Sequence, residues 1–231
     1  MNALVIAHRG ASARMRENTL EAFVEARRLG ADMVELDVRR TADGALAVLH
    51  DPVVPGVGPV CELAAAELPG WLPLLDAAVE ACDGMQVNVE LKDLPGEPGF
   101  VTDRALAAAV ASWARAADVV DRLLISSFDL AAIDRVHAIE PSVCTAWLTL
   151  AGYDQSLAAR TCVVNGHVAL HPAEAAVTAA LLAEAHELGL TVNTWTVDDP
   201  ARMRLLAGWG VDGIVTNTPD VLVQALRERR P

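Results

Sequence analysis

Glu35 and Asp37 stand two residues apart in VELDV, and Asn88, Glu90 and Lys92 repeat that spacing in VNVELK. Every second side chain of a β-strand shares a face, so each run aims its polar residues one way. Val34, Leu36 and Val38, like Val89 and Leu91, fall on the opposite faces and are free to pack against helices. Three carboxylates converging on one place repel unless a cation or protons neutralise them. Buried ion pairs with Arg9, Arg39 or Lys92 are one solution. A hard divalent ion, Mg²⁺ or Ca²⁺, is the other, and oxygen-only donors suit it better than zinc. Two acids on one strand face, with a third on the next strand, favour the metal.

His8 closes the apolar run LVIAH, and His50 closes LAVLH immediately before Asp51. Imidazole titrates near neutral pH, so two of them on the rim that carries the acids suit a proton-transfer pair. Arg9 follows His8, and a guanidinium matches the oxygen fork of a phosphate. His137, His167, His171 and His186 are read as structural, although His171 closes a strand and is placed to line the mouth.

Such residues need a scaffold that brings strand ends together. Short apolar runs at 4–8, 33–38, 87–91, 122–127, 144–148, 167–171, 191–195 and 212–217 read as strands. Helical patterns fall at 18–30, 72–83, 103–117, 129–140, 155–161, 173–188, 199–208 and 219–229, with Asn18, Asp129 and Asp199 as expected caps. Alternation of this length implies a parallel sheet, and eight units predict an α/β fold of the (β/α)8 TIM-barrel type. A doubly wound sheet is the rival, but no GxGxxG follows the first strand. The run 46–50 comes too soon after 33–38 for a parallel crossover, and Asp43-Gly44 is a hairpin signal. Residues 39–50 are therefore expected to form a hairpin arm that returns His50 to the height of Asp37. The Pro/Gly-rich stretch 51–71 is expected to be a short irregular cap loop over the same rim. One domain spanning 1–231 is expected.

With 18 Lys and Arg against 31 Asp and Glu, the formal net charge is −13. That balance argues against binding to duplex nucleic acid and against docking to anionic lipid through a basic patch. A hydrophobic content of 53% excludes intrinsic disorder. The four cysteines form no CxxC pair, the first ten residues lack the features of a secretory leader, and no run reaches the ~18 apolar residues of a membrane span. The expectation is a cytoplasmic protein with reduced thiols and no stable membrane insertion. Oligomeric state is not legible.

HRGxxxxxxENT (8–19), GADMVELDVRRTADGALAVLHD (30–51), VNVELK (87–92), ISSFD (125–129) and NTWTV…GVDGIVTNTPD (193–220) together resemble the glycerophosphodiester phosphodiesterase family. The resemblance implies a TIM barrel that hydrolyses glycerophosphodiesters to glycerol 3-phosphate and an alcohol with one divalent metal. It makes His8 and His50 the general acid/base pair and Glu35, Asp37 and Glu90 the metal ligands. Arg9 and Lys92 would contact phosphate, Trp195 would line the substrate pocket, and Glu17-Asn18-Thr19 would support the first loop. Two departures stand out. HDPVVPGVGPV replaces an HDxxLxRTT-like continuation after the second histidine beneath a short cap, and Asn217 stands where an Asp is common. The alternatives are a lysophospholipase D-like phosphodiesterase and a non-catalytic barrel that binds phosphorylated ligands.

Overall fold

The alternating strands and helices close into a ring in the computed structural model, which describes residues 3–228. In chain order the strands are β1 (Leu4–His8), β2 (Met33–Arg40), β3 (Leu46–Val48), β4 (Val53–Val54), β5 (Gly58–Pro59), β6 (Gln86–Leu91), β7 (Leu123–Ser127), β8 (Cys144–Thr149), β9 (Ala169–Pro172), β10 (Thr191–Thr194) and β11 (Gly213–Thr216). The helices are α1 (Leu20–Arg28), α2 (Leu75–Ala81), α3 (Ala105–Ala116), α4 (Leu130–Ile139), α5 (Gln155–Asn165), α6 (Ala179–Glu187), α7 (Pro200–Trp209) and α8 (Pro219–Arg227). Parallel pairing runs β1-β11-β10-β9-β8-β7-β6-β2, and β2 pairs back with β1, so the fold is the closed eight-stranded TIM barrel.

Strand parity sorts the side chains as expected. Val34, Leu36, Val38, Val89 and Leu91 pack outward with Phe23 of α1, Leu75 of α2 and Leu106 of α3 in one buried cluster. Complete burial of a side chain such as Leu36 contributes about 1.5–3 kcal/mol. The opposite half of the ring is backed by Leu182, Met203 and Leu222. Inside the barrel only a small apolar set remains, including Ile6, Met33, Leu124 and Val215.

β3 runs antiparallel to β2 with Val38 opposite Val48 and Arg40 opposite Leu46, and the Leu49 amide donates to the Asp37 carbonyl at 3.0 Å. The arm thus brings His50 back beside the tip of β2. Its turn places Gly44 at φ +87°, where a side chain is strained. Gly44→Val should cost about 1–3 kcal/mol through that strain and lower turnover further by displacing His50. Full turnover per folded molecule in an early-melting variant would show that the arm does not position His50.

Several boundaries differ from the sequence expectations. Thr19, not Asn18, caps α1, accepting from the Ala22 amide, because Asn18 adopts a left-handed conformation (φ +57°) that turns its side chain toward the barrel. Asp129 and Asp199 cap α4 and α7 as expected. The stretch 173–188 begins with a short 3₁₀ turn (Glu174–Ala176) before α6, and 51–71 contains the two-residue ladder β4–β5 and two 3₁₀ turns. Of the helix expected over 219–229, residue 229 lies outside the described residues.

Candidate active site

Parallel register builds the site. His8 of β1 is level with Glu35 of β2, Glu35 with Asn88 of β6, and Asp37 with Glu90. Carboxylate oxygens of Glu35, Asp37 and Glu90 lie within 4.8 Å of one another, and all three residues are buried or nearly so. Burial first, and then the neighbouring Asp37 charge, hold the Glu35 carboxyl well above its ordinary range. The same two causes push Glu90 up to about 7 against the opposing pull of Lys92.

Arg9 and Lys92 supply part of the compensation. The Lys92 ammonium sits 2.9 Å from Glu90 Oε1 and 3.8 Å from Asp37 Oδ1, and Arg9 Nε sits 3.1 Å from Asp37 Oδ2. Arg39, the third candidate partner, turns elsewhere. It holds the His50 carbonyl through Nε and Nη2 (2.8 and 2.6 Å), with Nη1 on the Lys92 carbonyl and on Glu97. Arg39 therefore clamps the end of the arm rather than neutralising the cluster.

Even with both cations in place, Glu35 Oε1 and Asp37 Oδ1 are buried without a hydrogen-bond partner. Crowded carboxylates, with the pKa values of Glu35 and Glu90 raised and two oxygens orphaned, fit a hard divalent cation, and the cluster could bind one.

The loop after β1 depends on two consecutive left-handed residues, Arg9 (φ +55°) and Gly10 (φ +81°). A Cβ on Gly10 would meet the Ala22 backbone at 2.7 Å, so only glycine fits against α1. This turn directs the Arg9 amide to Glu35 Oε2 at 3.0 Å and its guanidinium to Glu17 and Asp37. Asn18 Nδ2 donates to Asp37 Oδ2 at 2.8 Å, and Thr19 caps α1, so Glu17-Asn18-Thr19 support the loop and the cluster.

The two histidines differ in their partners. His8 Nδ1 lies 2.7 Å from Asn217 Oδ1. Asn217 Nδ2 is committed to Asp198 Oδ2 at 2.6 Å, and Ser12 Oγ also donates to Asn217 Oδ1. The oxygen of the amide therefore faces His8, whose Nδ1 must carry the proton, leaving a lone pair on Nε2. Burial, then the Arg9 charge, lower the His8 pKa and keep the ring neutral. His50 Nδ1 instead pairs with the Asp51 carboxylate at 2.8 Å.

Between them opens a cavity of about 240 Å³ lined by His8, Arg9, Glu35, His50, Glu90, Lys92 and Trp195, so seven of the eight residues expected at the site meet there. The eighth, Asp37, does not line it and is ion-paired with Arg9 and hydrogen-bonded to Asn18. Trp195 stands edge-on to Phe128 with ring centroids 5.3 Å apart and forms an apolar wall. Phe128 and Asn217 are site residues that sequence reasoning did not single out. Phe128 lay in the quoted ISSFD run, and Asn217 was visible as a departure at the end of the last strand.

A (β/α)8 barrel with acids, histidines and cations gathered at the carboxyl ends of its strands has the organisation of a barrel enzyme. Residues 8–221 match the Glycerophosphoryl diester phosphodiesterase family, and the chain belongs to that family. It is 29% identical over 254 residues to the glycerophosphodiester phosphodiesterase of Caldanaerobacter subterraneus subsp. tengcongensis, covering 99% of both chains. It is likewise 29% identical to that of Bacillus altitudinis, covering 98% of this chain and 99% of the relative. Among solved structures, the glycerophosphodiester phosphodiesterase from Thermotoga maritima superposes with a TM-score of 0.81 at 26% identity, over 97% of this chain and 99% of that one. An Oleispira antarctica phosphodiesterase solved with sn-glycerol-3-phosphate shares the fold, with a TM-score of 0.85 at 23% identity, over 98% and 97% of the two chains. Among the described residues no helix is long and apolar enough to cross a membrane.

Proposed function

We propose that this protein hydrolyses glycerophosphodiesters to glycerol 3-phosphate and an alcohol, with His8 as general base and His50 as general acid. The observation that carries the reading is the joint cavity. Two histidines with differently fixed Nδ1 partners face one space over three buried carboxylates, two of which keep oxygens without a partner. Family membership and the full-length relatives support the same chemistry.

Arg9 and Lys92 line the cavity and hold the phosphate oxygens, while the Phe128–Trp195 wall takes the carbon skeleton. His8 Nε2 accepts the proton of the attacking oxygen, either water or the glycerol 2-hydroxyl on the way to a cyclic phosphate. As the new P–O bond forms and the bond to the alcohol breaks, His50 Nε2–H protonates the departing oxygen. Glu35, Asp37 and Glu90 would hold a Mg²⁺ or Ca²⁺ ion, which would supply positive charge against that of the diester and of the developing transition state. Cys61, Cys82, Cys144 and Cys162 are free thiols, which suits the cytoplasmic setting that belongs to this reading.

The test is parallel incubation with glycerophosphocholine, glycerophosphoethanolamine, glycerophosphoglycerol and lysophosphatidylcholine, with and without EDTA, following the phosphomonoester released. Glycerol 3-phosphate release that EDTA abolishes is the expected outcome. Cleavage of lysophosphatidylcholine alone would move the assignment to a lysophospholipase D-like enzyme, and inertness towards all four would leave a binding protein.

A further inference from the structure

The arm that carries His50 has few ties to the barrel at its tip. β3 ends at Val48, and the Leu49 amide on the Asp37 carbonyl closes its pairing with β2. The next main-chain bond along the chain is made by the Pro52 carbonyl, which accepts from the Val60 amide of the cap rather than from the barrel. Between those two points, among the described residues, the one hydrogen-bonded main-chain group is the His50 carbonyl, and both of its donors belong to Arg39. The His50 ring itself pairs with Asp51, its neighbour on the same stretch, so that contact moves with the tip and anchors nothing.

Arg39 is built to hold that tip. It leaves β2 two residues beyond Asp37 and is only 5% exposed. Its five contacts match the five N–H groups of a guanidinium. Nε and Nη2 converge on the His50 carbonyl, and Nη1 donates to the Lys92 carbonyl at 2.9 Å. Glu97, from the segment between β6 and α3, takes the outer edge, with Oε2 2.9 Å from Nη1. The fork is planar and rigid, so fixing it at Lys92 and Glu97 also fixes the position of the His50 carbonyl. Lys92 in turn meets Glu90 and Asp37 through its ammonium. The position of His50 is thus measured against the strand end that carries the carboxylates.

We propose that Arg39 is a positioning residue for proton delivery, its fork setting His50 against the end of β6 while Glu97 holds the fork in its plane. Arg39 is absent from the lining of the reaction cavity and instead lines a separate cavity of about 280 Å³ with Pro52, Cys61 and Asp93, so it acts through His50 and not on substrate. The assignment rests on the phosphodiesterase reading with His50 as the acid, and adds the group that places that acid.

The experiment compares the metal-supplied wild type with Arg39→Ala and Arg39→Lys on glycerophosphocholine and on bis(4-nitrophenyl) phosphate, whose leaving group departs without a proton. A reacting group misplaced by about 1 Å costs on the order of 10²-fold. Arg39→Ala should therefore lower kcat on glycerophosphocholine by about that factor, with KM and calorimetric Mg²⁺ affinity close to wild type, and largely spare the nitrophenyl diester. Arg39→Lys keeps the charge without the fork and should stay impaired. The second cavity adjoins the vacated space and is flanked by exposed Arg40 and Val101, which leaves a small cation a way in. Millimolar guanidinium chloride should therefore restore part of the lost turnover in Arg39→Ala and none in the wild type.

Equal losses on the two diesters without guanidinium rescue would overturn the proposal and leave Arg39 a structural group. A loss confined to KM would also overturn it, by showing that Arg39 acts through the phosphate contact of Lys92. If Arg39→Ala does not fold, Glu97→Ala decides, because it frees the outer edge of the fork and leaves both carbonyl bonds. It should show a smaller loss with the same preference for the nitrophenyl diester, recovered in Glu97→Gln, and wild-type turnover on both substrates would refute the device. A wild type inert towards both diesters would remove the functional reading and the proposal with it, whereas an active wild type matched by its Arg39 variants would remove the proposal alone.

Discussion

Replacing His8 or His50 by alanine should lower kcat on glycerophosphocholine on the order of 10²–10⁴-fold, the usual contribution of a general acid or base. The two variants should part company on a diester whose leaving group is 4-nitrophenolate. That anion departs without a proton, so His50→Ala should regain most of its activity while His8→Ala stays impaired. The difference follows from the partners described above: an amide oxygen on His8 Nδ1 and a carboxylate on His50 Nδ1. Rescue of neither variant, or equal rescue of both, would reduce the histidines to phosphate-binding groups. Asn217→Asp adds a check with a definite sign. A carboxylate in place of the amide favours protonated His8, so the acidic limb of the kcat/KM profile should move to higher pH.

Glu35→Gln should weaken binding of Mg²⁺ or Ca²⁺ by at least the ~10–100-fold that losing an outer-shell contact alone costs. Calorimetric titration reads this directly, and equal binding by variant and wild type would remove Glu35 from the metal site. The same substitution should stabilise the metal-free protein. Glu35 and Glu90 have folded-state pKa values above their ordinary 4.5, Glu90 at about 7. Stability from such groups is complete below pH 4.5 and is lost as the pH rises through the folded values. Metal-free wild type should therefore weaken across that window, and Glu35→Gln should weaken less. At pH 8 the variant should be more stable by on the order of 1 kcal/mol, a gap that closes near pH 4.5. Thermal melts of EDTA-treated proteins across that range test it, and an equal slope for both would show that the crowded charge is not a burden on the fold.

The parity of VELDV and VNVELK made the carboxylate cluster legible because a strand alternates faces strictly, and barrel closure then determines where one face points. The arm was legible for a related reason: five residues between β2 and β3 cannot make a parallel crossover, and Asp43-Gly44 turns the chain back. Partners distant in sequence were not legible. Nothing local shows that Asn217 reaches His8, since 209 residues separate them and only the β1–β11 pairing brings them together. Asn18 misled for a local reason. Its type suits a helix cap, but the turn at Arg9–Gly10 draws it towards Asp37 and leaves the cap to Thr19. Arg39 followed the same pattern, since its strand position does not reveal the carbonyls of His50 and Lys92 that it holds.

That first-to-last contact sets a timetable for the molecule during synthesis. At ~5–20 residues per second, a ribosome delivers His8 roughly 10–40 s before Asn217. Until β11 arrives, β1 has an unpaired edge on one side and His8 has no fixed tautomer, so a nascent or truncated chain carries the histidines and carboxylates without a poised base. Competence therefore arrives at ring closure rather than when the catalytic residues emerge. Chains released before β11 should be inert even if their first half has collapsed, and open to edge pairing with one another through β1.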